Sequence, residues 1–417
     1  MNFKPMRKAS IISIGNEILS GQIVDINASY LSGKLLSIGM PVVSFYTIGD
    51  DVDLIVRTIN FAGDDADVVL MTGGLGPTDD DLTRQAFAKF LGVGLELQDE
   101  LLEEIRSFFA RRNLRMPEKA EIQAYIPVGA KSLSNKLGTA RGIMAHKEGK
   151  LFAAMPGVPV EMNQMFEEGV LPKLKKLAVG QAVVMRKLKC FGAGESTIAE
   201  LLGSLMQRGR NPLINCTSEY GLITLSIIAT AKDKDNAQRM VEKDELLLTE
   251  LLGELIYGRG EQTLADVIGE KFAQQGKTIA VAESCTGGCL AKLLTDIAGA
   301  SRYFRYGWVT YSNNAKISEL DVEPDLIEKY GSVSEQVAEA MAEGARKKAG
   351  TDFAVGITGI AGPSGGSEQK PVGLVYISID SDTGCQTRRI DISGDRDFIR
   401  LRAAQIALNM LRLKLQT

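Results

Sequence analysis

The chain has 417 residues, with 48 basic and 52 acidic side chains and a formal net charge of −4. This balance gives no clear signal for a nucleic-acid partner, and no apolar run approaches the roughly 18 residues that a membrane span needs. Five cysteines, odd in number and without a CxxC pair, are typical of a reducing compartment. We therefore expect a cytoplasmic protein without a membrane partner, a disulfide framework or a thiolate zinc site.

The first part of the chain, residues 1–174, alternates strand-like and helix-like segments. Strands are predicted at 10–14, 42–47, 68–72 and 151–154, and helices at 28–36, 54–61 and 82–90. This alternation predicts an α/β domain with a mostly parallel sheet and helices on both faces.

Three loops that follow predicted strands of this domain carry carboxylates. In open α/β sheets, ligands bind beyond the carboxyl ends of the strands. Neighbouring carboxylates without histidine favour a hard cation such as Mg²⁺. The candidate metal ligands are Asp79, Asp80, Asp81, Asp25, Glu17 and Glu161. The alternative is that the three adjacent aspartates cap the helix that begins near Leu82.

Two further domains are predicted. Residues 175–259 are more charged and predict a small α+β module, with strands at 183–191 and 222–231 and helices at 196–206 and 237–252. Residues 260–417 return to the α/β pattern, with strands at 278–281, 306–311, 353–357, 373–379 and 387–392 and helices at 264–274, 290–294 and 398–413. The predicted fold class is α/β, with two α/β sheet domains that flank a small α+β module.

The most informative segment is AESCTGG at residues 282–288, which joins a predicted strand to a predicted helix. It places the hydroxyl of Ser284 and the thiol of Cys285 in a turn where anions and nucleophilic chemistry are favoured. The single histidine, His146, is far away in sequence. A serine nucleophile here therefore needs another base.

Lys316 is the candidate base, because it follows the strand predicted at 306–311. Desolvation beside a helix N-terminus lowers the pKa of a lysine, and Ser–Lys pairs are a known alternative to Ser–His–Asp. A glycine-rich loop at 358–366 offers N–H groups for a phosphate or an oxyanion. Two alternatives remain open. Ser284 caps the helix while Lys316 is solvated and the glycines only form turns, or Cys285 is the nucleophile.

Several long motifs resemble those of the CinA family, and the resemblance covers the whole chain. GQIVD at 21–25 and TGGLGPT at 72–78 are similar to its molybdopterin-binding-like first domain. The middle region is similar to its KH-like module. AESCTGG, TGIAGP at 358–363 and SGDR at 393–396 are similar to its C-terminal nicotinamide-nucleotide amidase domain.

The resemblance implies that the chain hydrolyses nicotinamide mononucleotide (NMN) to nicotinate mononucleotide and ammonia, without a cofactor and as a homodimer. It implies that Ser284 is the nucleophile and Lys316 the base, while Tyr311 and Thr286 assist by hydrogen bonding. The implied substrate-binding residues are Gly287, Gly288, Thr358, Gly359, Gly362 and Arg396.

A second activity is implied for the first domain, because some family members hydrolyse ADP-ribose there with a divalent metal such as Mg²⁺. The alternative from another class is a non-catalytic pterin- or nucleotide-binding protein linked to competence. Three segments depart from the family's pattern: GNE at 15–17, AEIQA at 120–124 and GTARG at 138–142. The second of these replaces cationic and amide groups with Glu and Ile, which weakens a phosphate site. We therefore predict a weak or inactive pyrophosphatase.

Overall fold

The computed structural model describes residues 7–178 and 182–416. The chain divides into two compact units: the residues up to 185 together with Ala229–Met240, and Arg186–Ile228 together with the residues from 241 onward. The predicted middle module includes residues 179–181, which lie outside the described residues, as do residues 1–6. None of the described helices combines the length and the apolar character needed to cross a membrane.

The first unit contains a sheet with the order β2-β1-β3-β8-β7-β6. Its strands, with the separate pair β4 and β5, are β1 (Ala9–Ile14), β2 (Val42–Ile48), β3 (Val68–Thr72), β4 (Leu95–Leu97), β5 (Tyr125–Pro127), β6 (Lys131–Leu133), β7 (Gly142–Lys147) and β8 (Lys150–Met155). The helices are α1 (Asn16–Leu19), α2 (Ile26–Ser37), α3 (Val52–Asp65), α4 (Thr83–Leu91), α5 (Asp99–Ala110), α6 (Pro159–Met165) and α7 (Leu171–Leu177), with a 3₁₀ helix at Glu118–Ala124 and a π-helical turn at Phe166–Val170.

The first-unit sheet is covered on both faces. Strands β2, β1, β3 and β8 are parallel neighbours, as predicted. Alternate residues of one strand enter different apolar clusters, so Ile12 and Val69 pack on one face while Ile11 and Leu70 pack on the other. The antiparallel hairpin β7–β8 was not predicted. Its tight turn has positive φ at both Glu148 and Gly149, as two-residue hairpins favour.

The middle region forms a four-stranded sheet with the order β10-β11-β9-β12. Its strands are β9 (Ala182–Cys190), β10 (Leu213–Glu219), β11 (Leu222–Ala231) and β12 (Ile256–Arg259). Its helices are α8 (Glu195–Leu202) and α9 (Lys234–Leu252), with 3₁₀ helices at Gly203–Met206 and Gly253–Leu255. This is the α+β arrangement that the sequence predicted. The helix predicted at 196–206 ends early, because Gly203 has a φ of 50° and the chain continues as a 3₁₀ turn.

The last region forms a sheet with the order β14-β13-β15-β16-β17. Its strands are β13 (Ile279–Glu283), β14 (Phe304–Val309), β15 (Phe353–Gly359), β16 (Leu374–Asp380) and β17 (Gln386–Asp391). Its helices are α10 (Leu264–Gln275), α11 (Cys289–Thr295), α12 (Asn313–Leu320), α13 (Pro324–Tyr330), α14 (Glu335–Ala349) and α15 (Arg396–Lys414), with a 3₁₀ helix at Ala300–Arg302.

Only the first half of this sheet is parallel. Strand β13 pairs in parallel with β14 and β15, whereas β16 and β17 are antiparallel. Strand β14 ends at Val309 rather than at Tyr311, and α12 to α14 were not predicted. The carboxyl ends of β14, β13 and β15 therefore meet at one edge of the sheet. The predicted motifs that carry the candidate catalytic residues follow these strands at that edge.

Candidate active site

Three loops converge at the carboxyl edge of the last sheet. The N–H of Ser284 donates to the carbonyl of Ile357 at 2.9 Å, and the N–H of Thr310 donates to the carbonyl of Glu283 at 2.8 Å. These bonds continue the parallel pairing beyond the strands. They bring the residue after β13 next to the residue after β14.

Helix α12 carries the base of the predicted pair. Its N-cap is Ser312, whose side chain accepts from the N–H of Ala315 at 3.1 Å. The helix directs Lys316 inward, where its Nζ lies 3.0 Å from Ser284 Oγ and donates to the carbonyl of Thr310 at 2.8 Å. Lys316 is 1% exposed and Ser284 is 8% exposed. The structure thus brings the two residues together, and Lys316 is not a solvated helix residue.

Burial controls the protonation of this lysine. Desolvation lowers the pKa of Lys316, and the nearby Cys285 thiol opposes the shift. None of the acidic side chains in the described chain forms a salt bridge with Lys316. Burial therefore favours the neutral amine over the ammonium more than solvent does for an exposed lysine. A neutral amine can accept the Ser284 proton.

The rival nucleophile lies in the wrong environment. Cys285 is buried, and desolvation raises the pKa of its thiol to about 12. Helix α11 begins only at Cys289, so Cys285 is not in its first turn. Burial outweighs the backbone N–H groups and Lys316, which act to lower the pKa of this thiol, and Cys285 is a protonated thiol at neutral pH. Ser284 does not cap α11 either, since the N-cap is Gly288.

A buried carboxylate occupies the start of α11. Glu283 is 0% exposed and accepts hydrogen bonds from the N–H groups of Gly288, Leu290 and Ala291 at 3.1, 3.1 and 2.7 Å. The N–H of Gly287 donates to the carbonyl of Ser284 at 3.1 Å. The predicted use of the Gly287 and Gly288 N–H groups for an oxyanion or a phosphate is therefore corrected, because the protein's own oxygens occupy both.

The two assisting hydroxyls lie apart from the pair. Thr286 is 0% exposed and its hydroxyl has no partner among the described residues. The Tyr311 side chain is exposed, and its hydroxyl accepts from Arg396 Nη2 at 2.7 Å. Neither hydroxyl forms a hydrogen bond with Ser284 or Lys316 in residues 7–178 and 182–416. Their assistance in catalysis remains a prediction.

The glycine-rich loop after β15 borders the same edge. Thr358 is buried and donates to the carbonyl of Ser332 at 2.7 Å. A Cβ on Gly359 would lie 2.7 Å from a backbone oxygen and 3.0 Å from Cys285 Sγ, so no side chain fits there. Arg396, which is exposed, donates to the carbonyl of Gly362 at 2.6 Å. Through its bond to Tyr311 it joins two of the three loops.

A separate cavity lies in the first unit. Its volume is about 700 Å³, and it is lined by the loop at 72–77 and by four of the predicted ligands: Glu17, Asp25, Asp81 and Glu161. Asp50, at the end of β2, is a neighbouring carboxyl that the sequence did not single out. Desolvation raises its pKa, and Glu17 and Asp81 act in the same direction.

These carboxylates serve as turn and helix acceptors. Asp81 accepts from the N–H groups of Gly76 and Thr78 at 2.7 and 2.8 Å. The other partners are Lys119 for Asp79, Ala28 N and Ser13 for Asp25, and Asn135 for Glu161. No group of three or more such side chains in the described residues could hold a metal ion. The shared Mg²⁺ site stays a prediction, and no step is assigned to a metal.

Each altered segment of the first domain contributes to the lining of this cavity, through Glu17, Gln123 and residues 138–140. Arg141 is buried, its pKa is lowered by desolvation, and its guanidinium pairs with Glu104. Glu121 and Ile122 line a different, smaller cavity, whereas the neighbouring Gln123 lines the large one. Glu121 therefore does not line the large cavity, and the weakened phosphate site stays a prediction.

Comparison with known proteins covers the whole chain. Family models match in order: the probable molybdopterin binding domain at residues 10–176, the damage-inducible protein CinA KH domain at 185–258 and the CinA C-terminal domain at 261–415. A CinA-like protein of Kosmotoga olearia is 41% identical over 405 residues, which is 97% of this chain and 98% of that protein. The chain belongs to the CinA family.

Other CinA relatives are similar. A CinA-like protein of Dictyoglomus turgidum is 40% identical over 405 residues, covering 97% of this chain and 98% of its own. Among solved structures, the competence/damage inducible protein CihA from Agrobacterium tumefaciens is 42% identical and covers 37% of this chain and 94% of that chain, with a TM-score of 0.36.

Proposed function

We propose that this CinA-family chain is a cytosolic amidase that hydrolyses NMN to nicotinate mononucleotide and ammonia. The observation that carries the proposal is the 3.0 Å contact between Lys316 Nζ and Ser284 Oγ, two buried groups at the meeting point of three loops. A nucleophile within hydrogen-bond reach of a desolvated base is the arrangement that acyl transfer requires.

The first half of the reaction breaks the amide bond. Neutral Lys316 takes the proton of Ser284 Oγ as that oxygen attacks the carboxamide carbon. The C–N bond then breaks, and the Lys316 ammonium gives its proton to the departing nitrogen, which leaves as ammonia. An ester between Ser284 and the nicotinoyl group remains.

The second half restores the serine. A water molecule attacks the ester carbon while Lys316 takes one of its protons. The C–O bond to Ser284 breaks, the proton returns to Ser284 Oγ, and the nicotinate group leaves as a carboxylic acid, which releases its second water-derived proton to solvent. Lys316 Nζ donates to the carbonyl of Thr310 at 2.8 Å. This hydrogen bond keeps Nζ next to Ser284 Oγ in both halves of the reaction.

Binding of the nucleotide is assigned to the rim of the site. Arg396 is exposed and joins Tyr311 to the glycine-rich loop at Gly362. A guanidinium has five N–H donors, and Gly362 and Tyr311 take two of those of Arg396, so N–H groups and a positive charge remain for the 5′-phosphate. Thr358 and Gly359 complete this side of the rim.

The deciding experiment incubates the purified full chain with NMN and identifies products by mass spectrometry. Nicotinamide riboside, which lacks the phosphate, is the matched control substrate. We expect one ammonia per nicotinate mononucleotide and a much lower rate on the riboside. Absence of ammonia from a folded protein contradicts the proposal.

Ammonia release is expected to persist when divalent metals are removed. Ser284 supplies the nucleophile and Lys316 both proton transfers, so the scheme assigns no step to a metal. The measurement is the initial rate before and after dialysis against EDTA. A rate that disappears with EDTA and returns with Mg²⁺ or Zn²⁺ contradicts this prediction.

The first domain is predicted to release AMP from ADP-ribose slowly or not at all. Two carboxylates of its cavity, Asp81 and Asp25, accept hydrogen bonds from a turn and a helix start, and no group of three or more such side chains among the described residues could hold a metal. The measurement is AMP formation with Mg²⁺, Mn²⁺ or Co²⁺, with Asp80→Ala as the paired variant. Rapid turnover that Asp80→Ala removes shows instead that this chain carries a second hydrolase.

A further inference from the structure

One arginine far away in sequence holds the turn that contains the nucleophile. Arg400, in the first turns of α15, donates from Nε and Nη2 to the carbonyl of Thr286 at 3.0 and 2.9 Å. Its side chain is 32% exposed, so the guanidinium lies between the turn and solvent. Both N–H bonds of one edge of the guanidinium thus converge on one peptide oxygen.

This turn has two backbone hydrogen bonds of its own, from the N–H of Gly287 to the carbonyl of Ser284 at 3.1 Å and from the N–H of Cys289 to the carbonyl of Thr286 at 3.2 Å. It precedes α11, and two glycines with positive φ follow, Gly287 at 60° and Gly288 at 92°. Glycine offers the widest choice of backbone conformations, so a side-chain contact added to these bonds narrows the geometry of the turn further. The contact from Arg400 fixes the peptide plane between Thr286 and Gly287, two residues after the nucleophile.

The turn also presents a backbone donor beside the nucleophile. The N–H groups of Ser284, Gly287 and Gly288 all donate to protein oxygens. Among the hydrogen bonds of the described part of the chain, the N–H of Cys285 has no oxygen acceptor. The N–H of the residue after a nucleophile is a common oxyanion donor.

We propose that the Cys285 N–H stabilises the oxyanion and that Arg400 is the positioning residue that keeps this donor and Ser284 in register. The inference rests on the proposed amidase function. Oxyanion stabilisation depends on donors held within a few tenths of an ångström, and misplacement by about 1 Å can cost about a hundredfold in rate.

Direct phosphate binding by Arg400 is the competing interpretation. Its Nε and Nη2 edge is already occupied by the Thr286 carbonyl, and its Nη1 lies 3.9 Å from Asp397 Oδ1. A residue that bound the phosphate would mainly set KM for NMN. A positioning residue sets kcat and acts on every reagent that reacts at Ser284.

A fluorophosphonate tests the turn without NMN. Ser284 Oγ attacks phosphorus, a P–O bond forms, the P–F bond breaks, fluoride leaves and Lys316 takes the serine proton. The negative phosphoryl oxygen of the transition state needs the same donor as an amide oxyanion. The labelling rate is followed by mass spectrometry of the intact full-length protein, alongside kcat and KM for NMN and the melting temperature.

Two variants of Arg400 are compared. Arg400→Gln cannot donate two hydrogen bonds from a guanidinium edge to one oxygen, and Arg400→Lys keeps the charge and donates from a single nitrogen. The matched control is Arg402→Gln on the same helix, because Arg402 likewise donates to a carbonyl, that of Gly221 at 2.9 Å. We expect labelling and kcat to fall about tenfold or more in Arg400→Gln and less in Arg400→Lys, with KM within about threefold. Arg402→Gln should label at the wild-type rate.

The outcomes separate this inference from the amidase proposal. If wild-type protein is labelled at Ser284 but does not hydrolyse NMN, the proposed substrate is wrong. If Arg400→Gln is then labelled more slowly than wild type, the positioning role of Arg400 is still supported. Folded Arg400→Gln that labels at the wild-type rate overturns the positioning role, and a raised KM in the same variant assigns Arg400 to the phosphate. Failure of the wild type to label, or equal loss in Arg402→Gln, also overturns it.

Discussion

Ser284→Ala is expected to lower the rate of ammonia release from NMN by about a thousandfold or more, while NMN still binds. The variant removes the only oxygen that Lys316 Nζ contacts on a side chain in the described chain, so the base has no proton to take. The measurement is kcat for ammonia together with the Kd for NMN from calorimetry. A Kd within about threefold of wild type shows that the loss is chemical.

Cys285→Ala is the matched control, because the two side chains are adjacent in the same turn. Its thiol has a pKa of about 12 and is protonated at neutral pH, so its loss removes no nucleophile. We expect most of the rate to remain, with a stability cost of about 1 kcal/mol for the small void. If folded Cys285→Ala is inactive and Ser284→Ala is active, the thiol is the nucleophile.

Lys316→Met is expected to reduce turnover by about a hundredfold to ten-thousandfold, because methionine fills the same channel but accepts no proton. The wild-type rate should rise with pH as Lys316 loses its proton. Since burial lowers the pKa of Lys316, this rise should end below the pH at which an exposed lysine titrates. The test is a pH–rate profile of kcat, and a variant that keeps near-normal turnover contradicts the Ser–Lys pair.

The same substitution is expected to stabilise the folded protein at neutral pH. The folded pKa of Lys316 is lowered below its unfolded value, so the unfolded chain binds more protons between the two values and stability rises with pH across that window. The penalty for burying the ammonium is complete below the folded pKa and disappears toward pH 10.5. Lys316→Met should therefore melt at a higher temperature at pH 7, with the gap closing at high pH. A lower melting temperature for a well-folded variant contradicts the desolvation of Lys316.

The pairing of Ser284 with Lys316 could be predicted because short-range patterns determine it. A buried apolar run, a turn and a helix place Ser284 at a strand end, and parallel strands bring neighbouring strand ends together. The sequence did not show that Lys316 lies on a helix, since α12 spans only Asn313–Leu320 and has no strong apolar periodicity. Its burial depends on how α12 packs, which is a tertiary property.

Other parts of the site had no readable signal. Arg400 acts across 114 positions of sequence, and nothing local distinguishes it from the many arginines around it. Glu283 is part of the AESCTGG motif. Only the three-dimensional structure of the turn shows that its carboxylate, and not a ligand, accepts the hydrogen bonds at the start of α11. The aspartates near α4 were predicted as metal ligands because composition cannot separate a ligand from a turn acceptor. In the structure Asp81 binds its own loop.

The boundary near residue 260 separates two domains in the sequence, but the middle and last regions share one hydrophobic core. Phe191 and Tyr257, from the middle region, belong to the same buried cluster as Phe272 and Ile399. Arg412, on α15, reaches back to the carbonyl of Glu254 at 2.6 Å. The last region of this chain therefore shares its interior with the middle region. Without the middle region, apolar side chains such as Phe272 and Ile399 would lose part of their packing.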